Sequence, residues 1–101
     1  MDIAVFIAPL RIAAAHPALP GHFPGNPVVP GVVLLQRVAA ALKQWRDQPM
    51  ARFDVKFLAP LLPEQDATIE LREDAARVRF AIRRGEDVLA KGAVESTHDQ
   101  L

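Results

Sequence analysis

The chain has 101 residues, which is enough for one hydrophobic core but not for two, so we expect a single domain over residues 1–101. Its formal net charge of zero gives no reason to expect a nucleic acid or an anionic membrane as partner, and the absence of cysteine excludes disulfides, thiol catalysis and cysteine-ligated metal. No segment approaches the roughly 20 apolar residues that span a bilayer. The apolar N-terminus contains Asp2 and Arg11, which argues against a secretion signal, and we expect a cytoplasmic protein.

The first predicted element is a strand within residues 3–14, which are rich in Ile, Val and Phe. Because Pro9 has no N–H to donate, this strand should lie at the edge of a sheet or carry a bulge. A loop follows over residues 16–31, and five of the nine prolines of the chain lie between Pro17 and Pro30. Since proline rings restrict the backbone, this loop should be ordered.

One helix is predicted over residues 31–46, because Pro30 and Gly31 stand at its start and its interior contains neither residue type. Apolar residues surround most of this helix, so we expect other parts of the fold to bury it on most sides. The polar exceptions share one narrow face: Gln36, Arg37, Lys43 and Gln44.

The second half of the sequence alternates apolar and polar residues with a period of two, which is typical of strands with one buried face. The alternation occurs around Val55, Ile69 and Phe80, and a turn at residues 84–86 leads into a further strand, which predicts a hairpin. Residues from Ser96 onward should form a polar tail. We therefore predict an α+β fold in which a curved antiparallel sheet wraps one central helix and needs a dimer partner at its edge.

Residues 21–35, GHFPGNPVVPGVVLL, resemble the signature of the hotdog-fold 3-hydroxyacyl-acyl-carrier-protein dehydratases of fatty acid synthesis. Two further segments, VKFLAPLLPEQD and RVRFAIRRGEDVLAKGAV, are similar to the post-helix strand and the closing hairpin of that family. The resemblance covers nearly the whole chain and implies a hotdog fold. The short length is most similar to the compact dehydratase-like proteins of aryl-polyene pigment clusters.

The resemblance implies roles for individual residues. His22 matches the catalytic base of the family, and Gly31 matches the glycine whose N–H holds the thioester carbonyl of the substrate. Gln36 matches the catalytic Asp or Glu, so the sequence departs from the family pattern at this position. Three residues beside them are expected to bind the substrate: Phe23, Pro30 and Val32. No metal or redox cofactor is expected.

The chemistry of dehydration favours the same residues. A base that removes the proton from C2 should titrate near neutral pH, as histidine does, and an N–H at a helix start stabilises the negative charge on the thioester oxygen. Hydroxide leaving C3 needs a proton, which the amide of Gln36 cannot supply. No Asp or Glu occurs between Asp2 and Asp47, so an acid would have to come from the second half of the chain or from another subunit.

Three functions remain open. The first is a slow dehydratase that converts 3-hydroxyacyl thioesters, carried on the phosphopantetheine of acyl carrier protein, into trans-2-enoyl thioesters. The second is a non-catalytic or half-catalytic acyl-binding subunit that pairs with an acid-bearing paralogue. A hotdog thioesterase is the third, although hydrolysis needs a carboxylate that this pocket lacks. The dimer would be formed with an identical chain or with the paralogue.

Some of these residues also have simpler interpretations. His22 could be a structural residue of a tight turn, and the polar helix face with Gln36 could contact solvent or a subunit boundary instead of the pocket. Five basic residues could receive an acidic carrier protein or belong to an ordinary solvated surface: Arg37, Lys43, Arg46, Arg83 and Arg84.

Overall fold

The computed structural model describes residues 4–17, 19, 28–47, 52–75 and 77–95. Its elements, in chain order, are β1 (Val5–Leu10), α1 (Gly31–Arg46), β2 (Arg52–Phe57), β3 (Ala67–Asp74), β4 (Arg77–Arg84) and β5 (Asp87–Glu95). The strands form one antiparallel sheet in the order β1-β3-β4-β5-β2. One helix on one antiparallel sheet confirms the predicted α+β class.

The two edges of the sheet are β1 and β2. Pro9 lies in β1, opposite Thr68 of β3, so the edge position that its missing N–H predicted is confirmed. At the other edge, β2 pairs with β5 alone within the described part of the chain. This second edge lies beside the helix start.

The helix contributes one face to the hydrophobic core. Its buried residues are Val33, Leu34, Val38, Ala41 and Leu42. The expectation that the helix is buried on most sides is not met by the single chain, because Val32 is 62% exposed and Ala40 is exposed as well. One side of α1 therefore packs on the sheet and the opposite side is open. Among the described residues, no helix combines the length and the apolar character needed to cross a membrane.

The end of the helix is fixed by its cap and by aromatic packing. Asp47 adopts the left-handed conformation (φ 54°), and its N–H donates to the carbonyl of Lys43 at 2.7 Å. The rings of Phe6 and Trp45 stack with centroids 6.0 Å apart, and the guanidinium of Arg46 lies 4.2 Å from the Trp45 centroid. These contacts attach the last turn of α1 to β1.

Candidate active site at the helix start

A cavity of about 420 Å³ opens beside the first turn of α1. One wall is formed by residues 28–31 with Leu34, and the other wall by residues 57–61. All of these lining residues are uncharged, and no Asp or Glu of the described chain is among them. Such a cavity suits a hydrocarbon chain.

Backbone hydrogen bonds join the two walls to each other and to the sheet. The N–H of Val29 in the first wall donates to the carbonyl of Leu61 in the second wall at 2.9 Å. The N–H groups of residues 58 and 59 both donate to the carbonyl of Leu89 in β5, at 2.8 and 3.2 Å. The second wall is therefore an extension of the β2 edge that is fixed to Leu89, a buried residue of β5.

Arg84 supports the same wall from outside. Its Nη1 donates to the carbonyl of Pro60 at 3.1 Å and to Oε1 of Gln65 at 3.0 Å. The same Oε1 accepts a hydrogen bond from the N–H of Leu62 at 3.0 Å. The sequence analysis named Arg84 as a possible contact for an acidic carrier protein. In the structure, its side chain stabilises the loop after β2.

The helix start offers hydrogen-bond donors to the cavity. Pro30 is the extended N-cap residue (φ −61°, ψ 145°), no side chain caps the helix, and the first turn holds no acidic residue. The N–H of Val33 donates to the carbonyl of Pro30 at 3.0 Å, whereas no described residue accepts from the N–H of Gly31. Gly31 therefore places a donor beside the cavity at the positive end of the helix dipole.

Phe57 lies directly against Gly31. A Cβ on Gly31 would be 2.7 Å from Cζ of Phe57, so only glycine allows the ring to approach the helix start this closely. The sequence placed Phe57 in a strand but did not identify it as a site residue. Its position as the last apolar residue of β2, just before a proline-rich loop, was the available signal, but the contact with Gly31 depends on tertiary packing.

The predicted site residues divide between the cavity and the open side of α1. Pro30 and Gly31 line the cavity. Val32 does not line it and faces solvent in the single chain. Gln36 lies one turn after Val32 on this open side, is exposed, and does not line the cavity either. Within the described chain, Gln36 is therefore not brought together with Pro30 and Gly31 at the cavity.

His22 and Phe23, the predicted base and its neighbour, lie outside the described residues. The nearest described residues on either side are Leu19, which is buried in the hydrophobic core, and Val28, which is partly buried.

Glu64 ties the loop after β2 to the segment after β1. Its Oε2 accepts from the N–H of Ala14 at 2.8 Å, its Oε1 accepts from Nη2 of Arg11 at 3.1 Å, and its own N–H donates to the carbonyl of Ile12 at 2.8 Å. Glu64 holds a left-handed backbone (φ 68°) to make these bonds. The Ala14 N–H and, second, the Arg11 guanidinium lower the pKa of the Glu64 carboxyl from its ordinary value of 4.5.

This pKa direction predicts an acid-dependent loss of stability. A carboxyl whose pKa is lowered by folding stabilises the folded chain above its unfolded pKa, and this contribution disappears as the pH falls through the folded pKa. We expect Glu64→Gln to lower the midpoint of thermal unfolding at neutral pH, and the difference from the wild type to shrink as the pH falls below the ordinary pKa of 4.5. Glu86→Gln, in the exposed turn before β5, is the matched control. A Glu64→Gln deficit that is equal at all pH values would contradict this role.

The sequence as a whole matches a known family. The ApeI-like family model, described as ApeI dehydratase, matches residues 4–93. The 3-hydroxyacyl-[acyl-carrier-protein] dehydratase FabZ of Thermomicrobium roseum is 36% identical over 85 residues, which are 74% of this chain and 56% of that protein. FabZ of Symbiobacterium thermophilum is 29% identical over 89 residues, 78% of this chain and 63% of that protein. The chain thus spans less than two thirds of the length of these relatives.

Solved structures share the fold. The dehydratase heterocomplex ApeI:P from Xenorhabdus doucetiae has a TM-score of 0.78 at 20% identity and covers 90% of this chain and 85% of its own. A probable thioesterase from Bartonella henselae has a TM-score of 0.66 at 20% identity and covers 90% and 86%. These likenesses confirm the hotdog fold, which serves more than one activity. Since the family match extends over residues 4–93, the chain belongs to the ApeI-like dehydratase family.

Proposed function

We propose that the chain is a hydro-lyase that interconverts 3-hydroxyacyl and trans-2-enoyl thioesters. The observation that carries this proposal is the uncharged cavity beside the N–H of Gly31, in a member of a dehydratase family. The apolar walls suit an acyl chain, and the helix start suits an oxygen that gains negative charge during the reaction.

In the proposed reaction, His22 removes a proton from C2 of the 3-hydroxyacyl thioester. The electron pair of this C–H bond moves toward the thioester oxygen, where it is stabilised by a hydrogen bond from the N–H of Gly31. When the carbonyl reforms, the C2–C3 double bond forms and the C3–O bond breaks. The proton removed from C2 and the hydroxide lost from C3 together make up one molecule of water.

The departure of hydroxide is the slow step in this proposal. The position of the family acid is held by Gln36, whose amide orients the hydroxyl or a water but has no titratable proton. The cavity walls contribute no carboxylate within the described chain. Because the loss of a general acid typically costs about 10²–10⁴-fold, we infer a slow enzyme.

We propose further that the chain acts in the cytoplasm as a dimer on thioesters of acyl carrier protein. The FabZ relatives are named for that carrier, and ApeI:P is named as a heterocomplex. Gln36 is exposed on the open side of α1, where a second subunit would bring His22 of one chain toward Gln36 of the other. An aryl-polyene pathway fits the ApeI-like family and is part of the same proposal.

The alternative function is an acyl-binding subunit that completes its site with an acid-bearing paralogue. The observation that favours it is that no described residue of the cavity walls carries a carboxylate, together with Gln36 at the position that the resemblance assigns to the acid. Turnover by the purified chain alone supports the dehydratase, whereas turnover that requires the paralogue supports the alternative.

A thioesterase is the weaker candidate, because hydrolysis needs a carboxylate to activate water or attack the thioester.

Gly31→Ala tests the site itself. The added methyl would push the Phe57 ring, which lines the cavity, away from the helix start and so change the wall beside the Gly31 N–H; we therefore expect the rate of dehydration to fall about 10²-fold. Because Phe57 is 48% exposed and its ring tip can move, the free energy of unfolding should change by less than about 1 kcal/mol. Gln44→Ala, exposed in the last turn of the same helix, is the control. A folded Gly31→Ala variant with the wild-type rate would exclude this cavity as the active site.

A further inference from the structure

The bend of the second cavity wall at Pro60 depends on one side chain from outside the cavity. On either side of the bend, the N–H groups of residues 58 and 59 donate to β5, and the carbonyl of Leu61 accepts from Val29. Pro60 itself has no N–H, so hydrogen bonds can fix it only through its carbonyl. Among the described residues, this carbonyl accepts from Nη1 of Arg84 alone, at 3.1 Å.

Gln65 joins the rest of the loop to the same arginine. Nη1 of Arg84 also donates to Oε1 of Gln65 at 3.0 Å, and this oxygen accepts from the N–H of Leu62 at 3.0 Å. Nη1 carries two hydrogens and an amide oxygen has two lone pairs, so both atoms use their full hydrogen-bonding capacity. The loop after β2 and the cavity wall therefore share one network centred on Arg84.

The sheet holds the other side of the guanidinium. Arg84 is the last residue of β4 and lies opposite Asp87 of β5, with Nη2 3.8 Å from Oδ2 of Asp87. Strand β4 is an interior strand that pairs with β3 and β5. The planar guanidinium thus faces the hairpin with one nitrogen and the cavity wall with the other, which links the position of the wall to the position of the sheet.

We propose that Arg84 is a positioning residue of the candidate active site, which holds Pro60 at the separation from the helix start that a bound acyl chain requires. It acts through the Pro60 carbonyl and does not line the cavity. The proposal rests on the proposed function and deepens it, because it names a determinant of substrate affinity outside the cavity. Since the N–H of Gly31 belongs to the opposite wall, Arg84 should affect substrate binding more than the chemical step.

A lysine at position 84 separates positioning from charge. Lysine keeps the positive charge, but its ammonium lies where the guanidinium carbon does and has no planar fork. It cannot reach Pro60, Gln65 and Asp87 together. A contact with an acidic carrier protein, by contrast, requires mainly the charge and would survive in Arg84→Lys.

Steady-state kinetics with a 3-hydroxyacyl thioester of N-acetylcysteamine, which has no carrier protein attached, test the proposal. We expect Arg84→Lys to raise KM about tenfold and to leave kcat within about twofold, because the loss of uniform binding appears in KM alone. Arg77→Lys is the matched control and should keep the wild-type KM. It lies at the other end of β4, and its side chain is 37% exposed, against 32% for Arg84.

Gln65→Ala tests whether the network acts as a unit. This variant removes the acceptor that orients Nη1 of Arg84, so it should also raise KM. Combined with Arg84→Lys, it should raise KM by less than the product of the two single effects, because both residues act on the same wall. Circular dichroism verifies that each variant is folded at the assay temperature.

A binding measurement separates this proposal from the proposed function. In an unreactive analogue, a 3-hydroxyacyl amide of pantetheine, nitrogen replaces the thioester sulfur, and isothermal titration calorimetry gives its Kd. We expect Arg84→Lys to bind it about tenfold more weakly than the wild type. A chain that converts no thioester but shows this loss would contradict the proposed function alone, whereas an active Arg84→Lys variant with the wild-type KM and Kd would contradict the role of Arg84 alone.

Three further results would each overturn the role of Arg84. The first is a lower kcat with an unchanged KM, which would place the effect in the chemical step. The second is a loss seen only with carrier-bound substrate, which would make Arg84 a carrier contact. The third is that the effects of Arg84→Lys and Gln65→Ala simply multiply in the double variant, because they would then be independent.

Discussion

Replacing Gln36 by Glu is expected to raise the rate of dehydration about 10²–10⁴-fold. The resemblance assigns Gln36 to the position of the family acid, and no carboxylate of the described chain lines the cavity. Gln36 is exposed in the single chain, but in the proposed dimer a second subunit covers the open side of α1. A carboxyl group enclosed there retains its proton near neutral pH and can deliver it to the departing hydroxide. The substitution changes one amide nitrogen to oxygen, so it adds the missing proton donor with little change in volume.

The rate is followed by mass spectrometry of the 3-hydroxyacyl thioester on acyl carrier protein. Gln44→Glu is the matched control, because it makes the same chemical change at another exposed position of α1 and should leave the rate unaltered. A Gln36→Glu variant that folds and dimerises normally but is no faster would show that position 36 does not face the reacting carbon. The polar helix face would then be a solvent or subunit boundary only.

Gly92→Ala should have the largest effect on stability, about 3 kcal/mol or more in the free energy of unfolding. A Cβ on Gly92 would lie 1.8 Å from the backbone oxygen of Asp54. This oxygen belongs to the strand that pairs with β5, and a backbone atom cannot rotate away as a side chain does. β2 would have to separate from β5, which would expose the core along its open edge.

Urea unfolding measures this effect, and Gly85→Ala supplies the comparison. Gly85 has φ 62° in an exposed turn, and a Cβ there would meet no atom within 4 Å. Its substitution should cost only the strain of a left-handed alanine, about 1 kcal/mol. If Gly92→Ala proved as mild as Gly85→Ala, β2 would not be held as closely to β5 as the structure shows.

The secondary structure was largely available from the sequence. The Pro30–Gly31 start gave the first residue of α1, and the two-residue alternation identified the strands that became β2 to β5. The missing N–H of Pro9 predicted an edge strand. These features are local, and each depends on residues only a few positions apart.

The sequence pattern did not show which residues of α1 are buried by the sheet of the same chain. An apolar residue such as Val32 looks the same in sequence whether its own sheet or a second subunit covers it. The structure separates the two cases, because Val32 and Gln36 lie on the side of α1 that the sheet leaves open. The sequence therefore overestimated how much of the helix one chain buries.

One wall of the candidate site could be predicted from the sequence, and the other could not. The resemblance located Pro30 and Gly31, which line the cavity, but not the opposite wall. That wall depends on contacts between residues far apart in the chain, such as Arg84 with Pro60. Their side chains carry no local signal for this role, since an exposed arginine is most often part of a solvated surface.

The most direct test of the proposed dehydratase function is the interconversion of 3-hydroxyacyl and trans-2-enoyl thioesters by the purified chain, compared with His22→Ala. Mass spectrometry follows the loss or gain of one water on the carrier-bound chain, and starting from both thioesters allows either direction to be seen. We expect the wild type to approach the same mixture from both sides, slowly, and His22→Ala to leave each thioester unchanged while remaining folded. A folded wild type that converts neither thioester, or a His22→Ala variant that converts them equally well, would contradict the proposed function.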